Sequence, residues 1–429
     1  MTVFQRQPLL VPVRHGVPRT KAVDSTLGLL LEGYPFIQRR CAALGSDIFS
    51  TRLLGRPVLC ASGFDAARMF WQPNRFTRRG AEPPGGLTLL QHGGSSLALD
   101  GEAHRQRKAM LMSLQTGADR ARMVRLAEEE WRFRAAHWPG RRRLALCREA
   151  ESVLCAAACR WAGVPARGPE IARLGEEFSA GIDGGANARG PGLRGLVLRR
   201  RTARWARQLI EEVRSGRLAP PPESPLAVIA RHRDRDELLL PARDAAAELV
   251  NLLRPAVAVA RYIVFGALAM HEFPEWRTRI ADGDDATLTM FVQEVRRYYP
   301  FAAAVGGRVR DAFDWRGLQF EEGTWVLFDL YGSNHDPALW PEPGRFRPER
   351  FASWQGAGFD LAAQGAGDYL TGHRCPGEML TLDLVKSALH LLASEVVYAV
   401  PRQDLSVDLS RVPARPASGL LLDVAPPVR

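Results

Sequence analysis

Cys375 is the residue best placed to do chemistry. It stands in a glycine-rich stretch, QGAGDYLTGHRCPGE over 364–378, directly ahead of a helical pattern, MLTLDLVKSALHLL. Gly372 and Gly377 allow the backbone to pass close to a flat ligand. The positive end of the following helix, with backbone N–H groups aimed at the sulfur, favours thiolate over thiol. A thiolate held in this way suits a haem iron whose chemistry is O–O cleavage. Taken alone, the stretch fits a buried loop cysteine equally well.

Glu294 and Arg297 form an E-x-x-R pair in FVQEVRRYYP, and Arg350 lies in FRPERF. A Glu and an Arg one turn apart share a helix face. With a second Arg from a loop they can build a bidentate ion cluster. A single E-x-x-R also fits a solvated helix pair. The order E-x-x-R, then NHDP (Asn334 to Pro337), then PERF, then a Gly-flanked Cys is far more specific.

A third feature lies in the apolar helix AAELVNLLRPAVAVARYIVFGALAMHEFPEW. Arg254 places a permanent charge among apolar neighbours, which is costly unless it meets an anion. Pro255 removes a backbone donor and should bend the helix. The anion is either a buried Asp or Glu or the carboxylate of a substrate.

In this order of motifs the chain resembles a cytochrome P450 over essentially its whole length. The resemblance implies a mainly α, single-domain fold with a smaller β portion over 1–429. It implies haem b (iron protoporphyrin IX), with Cys375 as the axial ligand of the iron. It assigns Glu294, Arg297 and Arg350 to the family's structural cluster. Asp368 stands where an aromatic residue is usual, seven positions before the Cys. His373 fits a position that contacts a haem propionate, and by resemblance so do His104, Lys108 and Arg78.

The acid–alcohol pair with which oxygen-activating members deliver protons is absent, and Arg254–Pro255 stands in its place. This resembles the bacterial fatty-acid peroxygenase branch, as do MFVQEVRRYYPF, DLYGSNHDP, GHRCPGE and DGEAHRQRKAMLMSL. There the substrate carboxylate, bound by the Arg, serves as general acid–base for hydrogen peroxide. The resemblance thus implies oxidation of a fatty-acid-like carboxylic acid at its α or β carbon. Hydroxylation or decarboxylation would follow, with no redox partner.

Gln91 and Leu97 occupy positions that this branch links to where the oxygen goes, and the usual polar residue is missing at Leu97. Ala302, Ala303 and Ala304, followed by two glycines, stand where the branch carries bulkier sequence. Gln91, Leu97 and Ala304 are therefore expected to line the pocket, and the small residues predict a wider one. Two other readings remain. One is a reductase-dependent monooxygenase acting on a bulkier acidic biosynthetic intermediate; the other is a haem-binding protein without turnover.

The elements that must position these residues are mainly helical. Short strands and helices fill the first quarter, and helices are expected over 101–115 and 118–137. The region from about 145 to 300 is almost wholly helical, with 243–271 its longest segment. The last quarter has a strand-like TWVLFDLY and a helix over about 376–393. The 429 residues, 46% hydrophobic, can bury one large core.

The net charge of +11 comes mostly from dispersed Arg. With no zinc-finger or RNA-binding pattern, nucleic-acid binding is not expected. The six cysteines suggest no disulfide framework, and Cys155 and Cys159 read as a buried helix face. The N-terminal run is too short and Pro-broken to span a membrane, and Leu249–Met270 contains two Arg. A cytoplasmic protein with no membrane anchor is expected.

Overall fold

The computed structural model describes residues 16–81, 94–183 and 193–426, with the side chains of 193, 194 and 196 left out. Helices dominate, and the β portion is small. A five-stranded sheet runs in the order Ile48–Leu53, Arg56–Ala61, Trp325–Asp329, Ala304–Val309, Phe76–Thr77. Only the pairing of Arg56–Ala61 with Trp325–Asp329 is parallel, with Leu59 opposite Val326. The strand-like TWVLFDLY therefore divides. Trp325–Asp329 is strand, and Asp329 then caps the short helix Leu330–Asn334 by accepting from Gly332 N at 2.7 Å.

The helical core is built around Leu146–Ala162, whose residues are almost all buried. Cys155 and Cys159 lie within it, in the largest apolar cluster. Apolar residues at helical spacing hold it against neighbouring helices, among them Gly117–Ala135 and Pro169–Asp183.

The long apolar segment is two helices, Ala242–Ala258 and Ala260–Glu272, separated by Val259. The backbone ladder nevertheless runs on through Val259, with Val259 N donating to the Pro255 carbonyl at 3.3 Å and Ile263 N to the Val259 carbonyl at 3.2 Å, so Ala242–Glu272 forms the long helical segment that the sequence suggests. The segment is long and apolar enough to cross a membrane, but 89% of its most apolar stretch is buried inside the protein. The helix Glu378–Ser394 crosses it at short range. A Cβ on Gly266 would lie 2.5 Å from Leu389 Cδ1, so any larger residue there would have to displace the Leu389 side chain.

The two glycines after Ala304 have a structural role that corrects the wide-pocket expectation. A Cβ on Gly306 would stand 2.3 Å from the Ala81 carbonyl, and one on Gly307 would strike the Phe70 ring at 2.9 Å. The missing side chains make room for the protein's own backbone and core. Ala304 itself opens its strand opposite Asp329 and packs on the cluster containing Phe36, Phe49, Trp325 and Leu327.

Candidate active site

Cys375 sits at the end of a tight loop. Its N–H donates to the Gln364 carbonyl at 3.1 Å, and Gln364 Nε2 lies 3.7 Å from its sulfur. Burial pushes the thiol above its ordinary value, and the Glu378 carboxylate acts in the same direction. The Gly377 N–H, Lys108 and Arg296 pull the other way and are outweighed. The Gly377 N–H at the helix end favours the thiolate, as the sequence suggests, but burial outweighs it. The positive charge of a bound iron is what would hold the thiolate. Gly372 differs from expectation. A Cβ there would lie 2.7 Å from the Asp368 carbonyl, so the loop's own turn requires the glycine. Asp368 shapes that turn, accepting from Thr371 N and Oγ1 at 2.6 and 2.9 Å.

The four residues expected at the propionates come together. The rings of His104 and His373 lie 3.8 Å apart, centroid to centroid. Lys108, almost fully buried, donates through Nζ to the Arg374 carbonyl. Arg78 is buried, donates to the Gly306 carbonyl at 2.7 Å and stacks on Phe70 at 4.4 Å. Burial, joined by the charges of Arg78, His104 and Lys108, lowers His373 to about 2. Burial also lowers Lys108 to about 8, although Cys375, Asp368 and Glu378 oppose it. A thiol beside a buried group of basic side chains fits a flat, doubly anionic ring with a central metal cation.

The structural cluster is also formed. Arg297 holds Glu294 with Nε and Nη2, and Arg350 adds a contact at 3.3 Å. Arg297 also donates to the carbonyls of Asn334 and Pro343, both at 3.0 Å. Glu294 and Arg297 are fully buried.

Arg254 is 6% exposed, and Gly181 lies against its stem, with a Cβ position 3.6 Å from Cδ. Its guanidinium donates to Asn251 Oδ1 at 3.0 Å. Burial lowers its pKa to about 10, with a smaller push from Arg199, and it remains a cation at neutral pH. Leu97 lies on the 3-10 turn Ser96–Ala98 and is 38% exposed. Gln91 falls outside the described residues.

The motif order did not reveal a second ion cluster. Arg296 and Arg374 both bind Glu378, which opens the helix after Cys375. Its signal was present as a second Arg beside Arg297 and a Glu just after CPG. Read singly, each is an ordinary surface charge.

A sequence model of the cytochrome P450 family matches residues 286–392, the stretch that carries Glu294, Arg297, Arg350 and Cys375. Over nearly the whole chain the structure resembles P450EX alpha (CYP152N1), solved with myristic acid. The TM-score is 0.91 and the identity 38%, covering 96% of this chain and 99% of that one. The chain belongs to the cytochrome P450 family. Two further P450 structures are similar. P450SP alpha (CYP152B1) in complex with (R)-ibuprophen gives a TM-score of 0.90 at 42% identity, over 93% of this chain and 98% of that one. A point variant of P450 OleT in complex with arachidonic acid gives 0.92 at 33%, over 96% and 99%. Curated plant P450 relatives match over less. Rhazimal synthase of Alstonia scholaris is 27% identical over 214 residues, 43% of this chain and 41% of that protein. (+)-Menthofuran synthase of Mentha piperita is 29% identical over 124 residues, 28% and 24%. The chain thus spans less than half the length of these plant proteins. As a P450 it is a haem oxidoreductase with haem b as its cofactor.

Proposed function

We propose that this P450 is a peroxygenase that oxidises a fatty-acid-like carboxylic acid next to its carboxylate. The observation that carries this reading is Arg254, a guanidinium buried in an apolar helix and followed by Pro255. Its planar guanidinium fork matches a carboxylate in two parallel hydrogen bonds. The acids bound in similar structures, myristic, arachidonic and (R)-ibuprophen, support the same substrate class.

Cys375 would bind the iron, and Arg78, His104, Lys108 and His373 would meet the propionates. The haem, when bound, supplies the peroxide cleavage and the oxidising power. Arg254 holds the acid as its carboxylate, and Pro255 shapes the helix beside it. One carboxylate oxygen can then take a proton from hydrogen peroxide and return it to the departing water. This arrangement needs no acid–alcohol pair from the protein and no redox partner. Hydroxylation converts RCH2COOH and H2O2 into RCH(OH)COOH and H2O. Decarboxylation converts RCH2CH2COOH and H2O2 into RCH=CH2, CO2 and two H2O. Leu97 belongs to the pocket in this reading, and 1–429 acts as one cytoplasmic catalytic unit.

The test is a product screen of the haem-loaded protein with hydrogen peroxide and a panel of fatty and arylpropionic acids. Oxidised acids or alkenes are expected from peroxide alone. Turnover only with a ferredoxin and its reductase would overturn the reading.

A further inference from the structure

Glu248 lies on the same helix as Arg254, six residues earlier, and is fully buried. A carboxylate in that position needs donors, and three reach it. Its Oε1 accepts from Ser96 N at 2.6 Å and from Arg107 Nη1 at 2.9 Å, and its Oε2 accepts from the Ser96 hydroxyl at 3.1 Å. The Ser96 carbonyl in turn contacts His104 Nδ1 at 3.0 Å. One carboxylate therefore joins the helix of Arg254, the turn that carries Leu97, and the helix Gly101–Ser113 that carries His104 and Lys108. An apolar contact could hold these elements together as firmly. The three directional bonds add a fixed register between them.

We propose that Glu248 is a positioning residue that sets which carbon of the acid is oxidised, by fixing the Leu97 turn relative to Arg254. This rests on the reading of Arg254 as the carboxylate anchor. With one end of the substrate held, the remaining freedom is where the chain beyond it lies against the opposite wall. Adjacent carbons are separated by about 1.5 Å. A shift of the Leu97 turn by that amount exchanges one carbon for the next. Arg107 serves the same tether from the other side, so Glu248 acts through Ser96 and Arg107 and touches no reacting atom.

The experiment compares the haem-loaded wild type with E248Q and S96A, using myristic acid as the probe. E248Q keeps the side chain's size and removes its charge from Arg107. S96A removes the hydroxyl donor and leaves Glu248 in place. Haem content, the calorimetric Kd for myristate, and the ratio of 2-hydroxy acid, 3-hydroxy acid and terminal alkene are measured. The expected result is unchanged haem content, myristate binding weakened by about tenfold in E248Q, and a product ratio displaced in both variants. The double variant should add little to E248Q, because both changes break one tether. An unchanged product ratio in both variants would overturn the proposal, whatever the Kd. If E248Q fails to fold, S96A decides by the same criteria. If the wild type makes no oxidised acid, the peroxygenase reading itself falls; an active wild type with an unchanged product ratio in the variants sinks the Glu248 proposal alone.

Discussion

Arg297 grips both carboxylate oxygens of Glu294, at 2.7 and 2.8 Å, with both side chains withdrawn from solvent. The pair gathers the backbone between Asn334 and Arg350, since Arg297 bonds carbonyls there and Glu294 accepts from Arg347 N at 2.7 Å. Replacing Glu294 with Ala leaves two guanidinium groups without their anion. Breaking a buried pair in this way costs about 3–5 kcal/mol. A urea unfolding midpoint should fall accordingly; an unchanged midpoint would mean that the cluster contributes nothing to stability.

Arg254→Ala should leave haem bound and remove the carboxylate anchor. A charge-assisted hydrogen bond contributes about 1.5–3 kcal/mol, so acid affinity should fall by about 10- to 100-fold. Arg254→Lys keeps the charge and loses the planar fork, so it should recover only part of that loss. Spectral titration with a fatty-acid series measures both variants. Full peroxide-driven activity in Arg254→Ala would rule out the carboxylate mechanism.

Cys375→Ser exchanges the sulfur for an oxygen. Haem loaded into this variant should lack the thiolate-type Soret band in the carbon monoxide difference spectrum, and the protein should lose peroxide-driven turnover. Retention of that band would assign the iron to another residue.

Asp329 carries a pH dependence. Burial raises its carboxyl to about 7, although the Gly332 N–H it caps pulls it down. Between its ordinary value of 3.8 and 7, the folded protein keeps a proton that the unfolded chain has lost. Stability therefore falls as pH rises through that window. Asp329→Asn keeps an acceptor for Gly332 and cannot ionise. Its stability relative to wild type should rise between about pH 4 and 7 and level off above. Denaturation curves across that range check the slope; parallel curves for the two proteins would refute it.

Much of the site was legible because its chemistry is written in short, ordered strings. Cys375, Glu294, Arg297 and Arg350 each sit in a recognisable local run, and Arg254 stands out as a charge inside an apolar helix. What escaped depends on partners distant in the chain. Gly306 and Gly307 read as open space until the Ala81 carbonyl and the Phe70 ring occupy it. Glu248 looks like any helix glutamate until Ser96 and Arg107 meet it. The state of the Cys375 sulfur is a balance of burial against nearby charge, and spacing carries no measure of burial.

Glu378 holds Arg374, the neighbour of Cys375, on one side and Arg296, on the helix of Glu294, on the other. The C-terminal end of the cysteine loop is thereby tied to the fully buried helix of Glu294. In amide-exchange terms the Cys375 N–H, bonded to the Gln364 carbonyl, should belong to the slow class, while the exposed stretch around Leu370 and Thr371 should exchange faster.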